Sequence, residues 1–172
     1  MTDIVVFGED FGGLPSSTQH LIKHLANNHR ILWVNSIGLR QPKLTPKDAK
    51  RLVTKLTSSV KQQDKVQTPF GREEDANIHT ITLLTIPAPK SKWARSVATK
   101  MMKHQLNKKL NELGFQRAVF WTSLPTAVDI CREMSTKGIV YYCGDDFGAL
   151  AGVDHQTVLE HEADLIDNAD LI

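Results

Sequence analysis

Short runs of β-branched and aliphatic residues alternate along this chain with stretches of helical apolar spacing. The runs are Ile4–Gly8, Arg30–Asn35, Ile78–Thr85, Ala118–Trp121 and Gly138–Cys143. Each is close to continuously apolar, as a strand covered on both faces must be. Strands of this kind separated by helices are joined by crossovers, so the pattern predicts an α/β fold: a parallel sheet with helices on both faces. The 172 residues, 41% hydrophobic and 23% charged, suit one α/β domain with a substantial core. No run approaches 18 apolar residues, so no helical membrane span is expected. Met1-Thr2-Asp3 leads directly into the first strand, without the apolar core of a signal peptide. Cys131 and Cys143 have neither CxxC spacing nor a nearby His, which argues against a disulfide framework or a zinc site and fits a reducing cytoplasm.

The first helix announces itself with Ser16-Ser17-Thr18-Gln19, a capping box in which Ser16 receives an amide and Gln19 reaches back to the Ser16 amide. A long basic insertion, about 41–77, separates the second and third strands. Within it Thr45-Pro46-Lys47-Asp48 reads as a helix start, followed by apolar spacing to Val60, and 64–77 reads as a surface loop. A second basic helix is expected from Ser91 to Leu113, stopping at Gly114. Its expected buried stripe is Trp93, Val97, Met101, Leu106, Leu110 and Leu113. A third helix should start near Ser123-Leu124-Pro125 and end before Gly138, and a last one should start near Asp154. Ala169-Asp170-Leu171-Ile172 resembles the opening of a sixth strand, as in a chain interrupted partway through a longer fold.

The net charge of +2 conceals an asymmetry. Residues 40–65 hold eight Lys/Arg against two Asp/Glu, residues 90–109 hold seven against none, and residues 139–172 hold eight Asp/Glu and no Lys or Arg. Such a division points to an anionic partner on one side or a neighbouring domain on the other, or simply to solvated helix faces.

In open parallel sheets, ligands bind at the carboxyl ends of the strands, where the strand order reverses. Three segments fall there. Gly8-Glu9-Asp10-Phe11-Gly12-Gly13 precedes the capped helix, and its glycines with the helix N-terminus (Ser16, Ser17, His20) could receive a phosphate or a hydroxyl. It fits neither GxGxxG nor GxxxxGK[ST]. Thr122 and Ser123 offer hydroxyls after Trp121, which is equally suited to a core position. Asp145 and Asp146, between Gly144 and Gly148, could orient a sugar hydroxyl or act as a base, or could cap a loop. The serines have no His/Asp arrangement, and no metal site or bound cofactor is expected.

The stretch Gly8-Glu9-Asp10-Phe11-Gly12-Gly13-Leu14-Pro15-Ser16-Ser17-Thr18-Gln19-His20, then Ile31-Leu32-Trp33-Val34-Asn35-Ser36-Ile37-Gly38-Leu39-Arg40, resembles the N-terminal domain of bacterial GT-B glycosyltransferases. The closest likeness is to family-4-like enzymes of the teichuronic-acid-biosynthesis type. Val140-Tyr141-Tyr142-Cys143-Gly144-Asp145-Asp146-Phe147, Gly152-Val153-Asp154-His155 and Glu162-Ala163-Asp164 are similar to the same group, and the likeness spans most of the chain outside 41–77.

The resemblance implies a Rossmann-like acceptor-side domain, with a C-terminal domain, absent from this sequence, binding most of the nucleotide sugar. It implies that Gly12 and Gly13 lie beside donor phosphates or acceptor, that Asp145 and Asp146 face the sugar and the acceptor hydroxyl, and that the acceptor is a saccharide or lipid-linked. It further implies that Lys92, Trp93, Arg95, Lys100 and Lys103 meet an anionic membrane surface on the cytoplasmic side. A competing reading is a non-catalytic flavodoxin-like binding or signalling module. However, the third strand ends in Thr85-Ile86-Pro87 and the fifth in Gly144-Asp145-Asp146, without the acceptor Asp and the Lys that a receiver requires there. Nucleic acid is not an expected partner, because the basic segments lack interleaved aromatics beyond Trp93.

Overall fold

The computed structural model describes residues 1–35, 77–86, 92–144, 146–147 and 155–172. Among them, β1 (Asp3–Phe7), β2 (Arg30–Val34), β3 (Ile78–Ile81), β4 (Val119–Thr122) and β5 (Gly138–Tyr141) form one sheet in the order β3-β2-β1-β4-β5. All four pairings are parallel, with Val6 opposite both Trp33 and Trp121, and Trp121 opposite Val140. The helices are α1 (Ser17–Ala26), α2 (Lys92–Glu112), α3 (Val128–Glu133) and α4 (His155–Asn168), with a 3-10 turn, Pro125–Ala127, leading into α3. This is the Rossmann-like α/β architecture expected from the strand pattern. The direction of progress across the sheet reverses between β1 and β4, which makes their carboxyl ends the switch point.

Alternation along the strands sends side chains to two separate cores. Val5, Phe7, Leu32, Val34, Phe120, Ile139 and Tyr141 meet Met102, Leu106 and Leu110 of α2, Val128 and Ile130 of α3, and Leu165 of α4. On the other face Ile4, Val6, Ile31 and Trp33 lie under Ile22 and Ala26 of α1, with Trp121 packed at their side. Beyond β5, Leu171 forms a parallel bridge with Val140, and Tyr141 N donates to Leu171 O at 2.8 Å. The C-terminal residues thus begin a sixth position in the sheet, as their sequence predicts.

Three local expectations need correction. The buried residues of α2 are Ala98, Thr99, Met102, Leu106 and Leu110, whereas Trp93 is 76% exposed and Met101 is also exposed. Met101 lies beside Met102, the residue of that turn that meets the core, and for Trp93 the cause is length. The 21 residues of α2 span about 31 Å, roughly twice the reach of a five-residue strand, so its first turns pass beyond the sheet and pack on α3 through small residues. The third helix ends before Gly138, as expected, but its α-helical turns start only at Val128, after the 3-10 turn, and Met134 is already extended (φ −114°, ψ 148°). Thr136 Oγ1 there receives Gly138 N and donates to Ala118 O, local bonds that compete with helix continuation. The strands β3 and β5 end at Ile81 and Tyr141, short of Thr85 and Cys143. The expected insertion helix (45–60), the 64–76 loop, and the helix starts at Ser91 and Asp154 lie outside the described residues.

Candidate functional site

The loop after β1 is held by its own side chains. Gly8 is buried against Trp33, whose Nε1 donates to Glu9 O at 2.8 Å. Phe11 N donates to Asn35 Oδ1 at 3.0 Å, and Gly13 N closes a turn onto Asp10 O at 3.0 Å. Gly12 has φ +79°, a conformation glycine adopts without a Cβ penalty. The Phe11 ring lies 5.1 Å from that of Trp33.

The N-terminus of α1 is capped as expected by Ser16, whose Oγ accepts from Gln19 N at 3.2 Å. The other half of the predicted box is replaced. The Gln19 amide does not turn back to Ser16 N. Its oxygen accepts from Gly12 N (3.2 Å), and its nitrogen donates to Leu14 O (3.0 Å) and to Glu9 Oε1 (2.9 Å). Ser16 Oγ also donates to Glu9 Oε1. A carboxylate of the chain itself therefore sits over the positive end of the helix dipole, where an external phosphate would otherwise be stabilised. Sequence reasoning missed this role of Glu9. The signal available was an acid in the loop leading to an N-cap serine. Ser17 and His20 are exposed on the first turn beside it.

After β4, Thr122 is fully buried, and its hydroxyl accepts from Leu124 N and donates to Leu124 O, both at 2.9 Å. Both of these bonds are to the loop that follows β4, which the hydroxyl shapes. Ser123 is half-buried, and its N–H donates to Phe7 O at 3.2 Å, tying the two strand ends of the switch point together.

After β5, Tyr142 stacks on Trp121 with centroids 5.8 Å apart and planes 25° from parallel. Tyr141 points to the opposite core, and its hydroxyl donates to Glu162 Oε1 of α4 at 2.5 Å. Burial and that carboxylate raise the Tyr141 phenol pKa, so it stays protonated. Asp146 is exposed at the carboxyl edge, above buried Phe147, while Asp145 lies outside the described residues. Tyr142 was not among the expected site residues. Its alternation with Val140, on the same face as Trp121, was the readable sign.

The basic surface of α2 lies elsewhere. Lys92, Trp93 and Lys100 are exposed. Arg95 makes a two-pronged pair with Asp129 of α3 (3.0 and 2.7 Å), and Lys103 stands 3.5 Å from Glu133. Arg95, Asp129 and Glu133, together with Arg132 and Asp164, which pair at 2.6 Å, border an open groove of about 610 Å³ between α2, α3 and α4, and Lys92 and Lys100 stand on its α2 side. The charges expected to meet a membrane are thus divided: Arg95 and Lys103 are matched within the chain, and Lys92 and Lys100 flank the exposed Trp93. Among the described residues no group of three or more His, Cys, Asp and Glu is placed to hold a metal ion, and no helix is long and apolar enough to cross a membrane.

Comparison with known proteins adds no identification: no family model matches the chain, and neither a curated protein nor a solved structure does.

Proposed function

We propose that this chain is the acceptor-side domain of a glycosyltransferase that moves a sugar from a nucleotide-sugar donor to a cell-envelope saccharide or glycolipid. The observation that supports this most is the doubly wound sheet. It carries the Gly8–Gly13 loop and, after β5, Cys143, Gly144 and Asp146, all from stretches that bear the resemblance to such enzymes, to the same carboxyl edge on either side of the switch point. In this reading Asp146, with Asp145, orients the acceptor hydroxyl and takes its proton as the glycosidic bond forms. Gly12, Gly13, Ser16, Ser17, His20 and Ser123 border the acceptor.

The Glu9 carboxylate over α1 refines the division of labour. Two acids, Glu9 and Asp10, on this loop disfavour a diphosphate and favour hydroxyl groups, so the donor phosphates fall to the C-terminal domain of such an enzyme. No bound cofactor is required. Lys92, Trp93 and Lys100 hold the domain at an anionic membrane surface on the cytoplasmic side, where a lipid-linked acceptor would reside.

The test is release of nucleoside diphosphate from a panel of UDP-, GDP- and ADP-sugars by the native protein, with envelope lipid extract as acceptor. Acceptor-dependent release that Asp146→Asn reduces is the expected result. Turnover by these 172 residues alone, or none by the native protein with any donor, would overturn the reading.

A further inference from the structure

Helix α1 turns its polar side outward. Ile22 and Ala26 face the sheet, and Thr18 and Gln19 are buried beside them. On the other side Ser17, His20, Leu21, His24 and Asn27 are exposed. The helix is unbroken from Ser17 to Ala26, so His20 and His24 stand one turn apart on that outward face. At this spacing their Cβ atoms lie about 5–6 Å from each other.

Neither imidazole is committed to the fold: among the described residues neither ring has a hydrogen-bond or ion-pair partner. His29, by contrast, accepts from Thr2 N through Nδ1, and His161 is buried. The charges nearby suit a cation. Lys23, between the two in sequence, carries its ammonium toward the loop after β1, 5.5 Å from the centroid of the Phe11 ring. The positive end of the helix dipole, which would repel a cation near His20, is offset by the Glu9 carboxylate held there by Gln19.

Two imidazoles four residues apart on a helix can reach a single ion with one nitrogen each, at about 2.0–2.1 Å. The seven histidines of the chain include no other two at this spacing. All seven, and both cysteines, lie among the described residues, where no third ligand joins the pair. Leu21 stands where the zinc-protease motif His-Glu-x-x-His has its general base, so the pair can hold an ion but lacks the partner that makes that motif hydrolytic.

We infer that His20 and His24 form a two-histidine site for a divalent transition-metal ion of the zinc, nickel and copper group, with water in its remaining positions. Imidazole favours these ions over magnesium and calcium, and affinity rises toward copper. The ion bridges successive turns of α1 and braces the end of the helix that carries the Ser16 cap. This site does not depend on the glycosyltransferase reading.

Zinc titrated into the isotope-labelled chain at about pH 7.5, where free imidazole is mostly neutral, tests it by NMR, with copper as a second probe and magnesium as the counter-probe. The ring nitrogens of His20 and His24 should shift together as a single zinc ion binds, and copper should broaden the signals around both. The urea midpoint should rise with zinc, because the helical spacing of the pair exists only in the folded chain. His20→Ala and His24→Ala should each weaken binding by about tenfold or more, at least the cost of losing an outer-shell partner of a metal. His104→Ala, which removes an exposed histidine of α2, should leave binding unchanged. Unchanged methyl shifts in the three variants check that they fold. The site is overturned by absence of saturable zinc and copper binding, by binding that survives the combined His20→Ala and His24→Ala changes, or by an equal response to magnesium. Loss of binding in only one of the two single variants overturns it as well, since one imidazole is not a chelate.

Discussion

A Cβ on Gly8 would stand 2.6 Å from Cζ2 of Trp33, and Trp33 cannot retreat, because it is fully buried and its indole N–H holds Glu9 O. The end of β1 and the middle of the neighbouring strand thus fit only while residue 8 has no side chain. Gly8→Ala should lower stability by about 1–3 kcal/mol, the usual cost of overpacking a tight core. The urea midpoint measures it. An unchanged midpoint would mean that the Trp33 ring can shift and that the loop after β1 is not anchored through it.

The Ser16 cap makes a second prediction. Its hydroxyl serves two partners, accepting from Gln19 N and donating to Glu9. Ser16→Ala should cost about 1 kcal/mol through the lost cap. Glu9→Ala should cost a similar amount, by removing the carboxylate from the helix terminus and one of the two acceptors of the Gln19 amide nitrogen. Because the three residues share one network, the double variant should be less destabilised than the two single changes combined. Full additivity in denaturant unfolding would show that Glu9 and Ser16 act separately.

What the sequence made legible here was what local physics decides. Continuous apolar runs gave the parallel strands, and Ser16 and Gly114 marked helix ends at the expected positions. What it hid depends on where elements end in space. Trp93 and Met101 have helical spacing and ample hydrophobicity, yet both are exposed, and it is Met102, one position on, that meets the core. Ala98 and Thr99, which add little to any hydropathy pattern, are buried beside the Arg95–Asp129 pair that ties α2 to α3. The candidate site shows the same division. The loops after β1 and β5 could be found from glycines and acids. The commitment of Thr122 to its own loop and the stacking of Trp121 on Tyr142 appear only when strands distant in sequence are set side by side.

His161 makes stability depend on pH. It is 7% exposed on α4, and neither ring nitrogen has a hydrogen-bond partner among the described residues. Burial lowers its pKa below the ordinary 6.5, and Arg95 of α2 adds to this, while Asp129 of α3 and Asp164 and Glu160 of α4 oppose it. Above 6.5 the imidazole is neutral in both folded and unfolded chains. Below 6.5 the unfolded chain takes the proton first, so the stability tied to neutral His161 is lost as pH falls toward the folded value. The slope cannot exceed about 1.4 kcal/mol per pH unit for one proton. Urea unfolding between about pH 7.5 and about pH 5.5 should show stability declining on acidification, and His161→Leu should flatten that decline. Equal slopes in the two proteins would show that the proton is taken up elsewhere.

The division of charge on α2 predicts which cations matter at an anionic surface. Lys92 and Lys100 flank an exposed indole, whereas Arg95 is matched by Asp129 through two short bonds. A lysine close to such a surface contributes about 1 kcal/mol, or roughly fivefold in partitioning. Lys92→Gln with Lys100→Gln should therefore lower binding to phosphatidylglycerol vesicles about 25-fold or more at low salt. Arg95→Gln combined with Asp129→Asn removes a pair with no net charge and should leave partitioning within about twofold. Sedimentation of both variants with sucrose-loaded vesicles, against the unaltered chain, separates the cases. Equal losses in the two would mean that the unmatched lysines carry no more of the partitioning than the Arg95–Asp129 pair does. Failure of the unaltered chain to sediment with the vesicles would remove the membrane from the proposed function and leave the acceptor-side reading to stand on the carboxyl edge of the sheet.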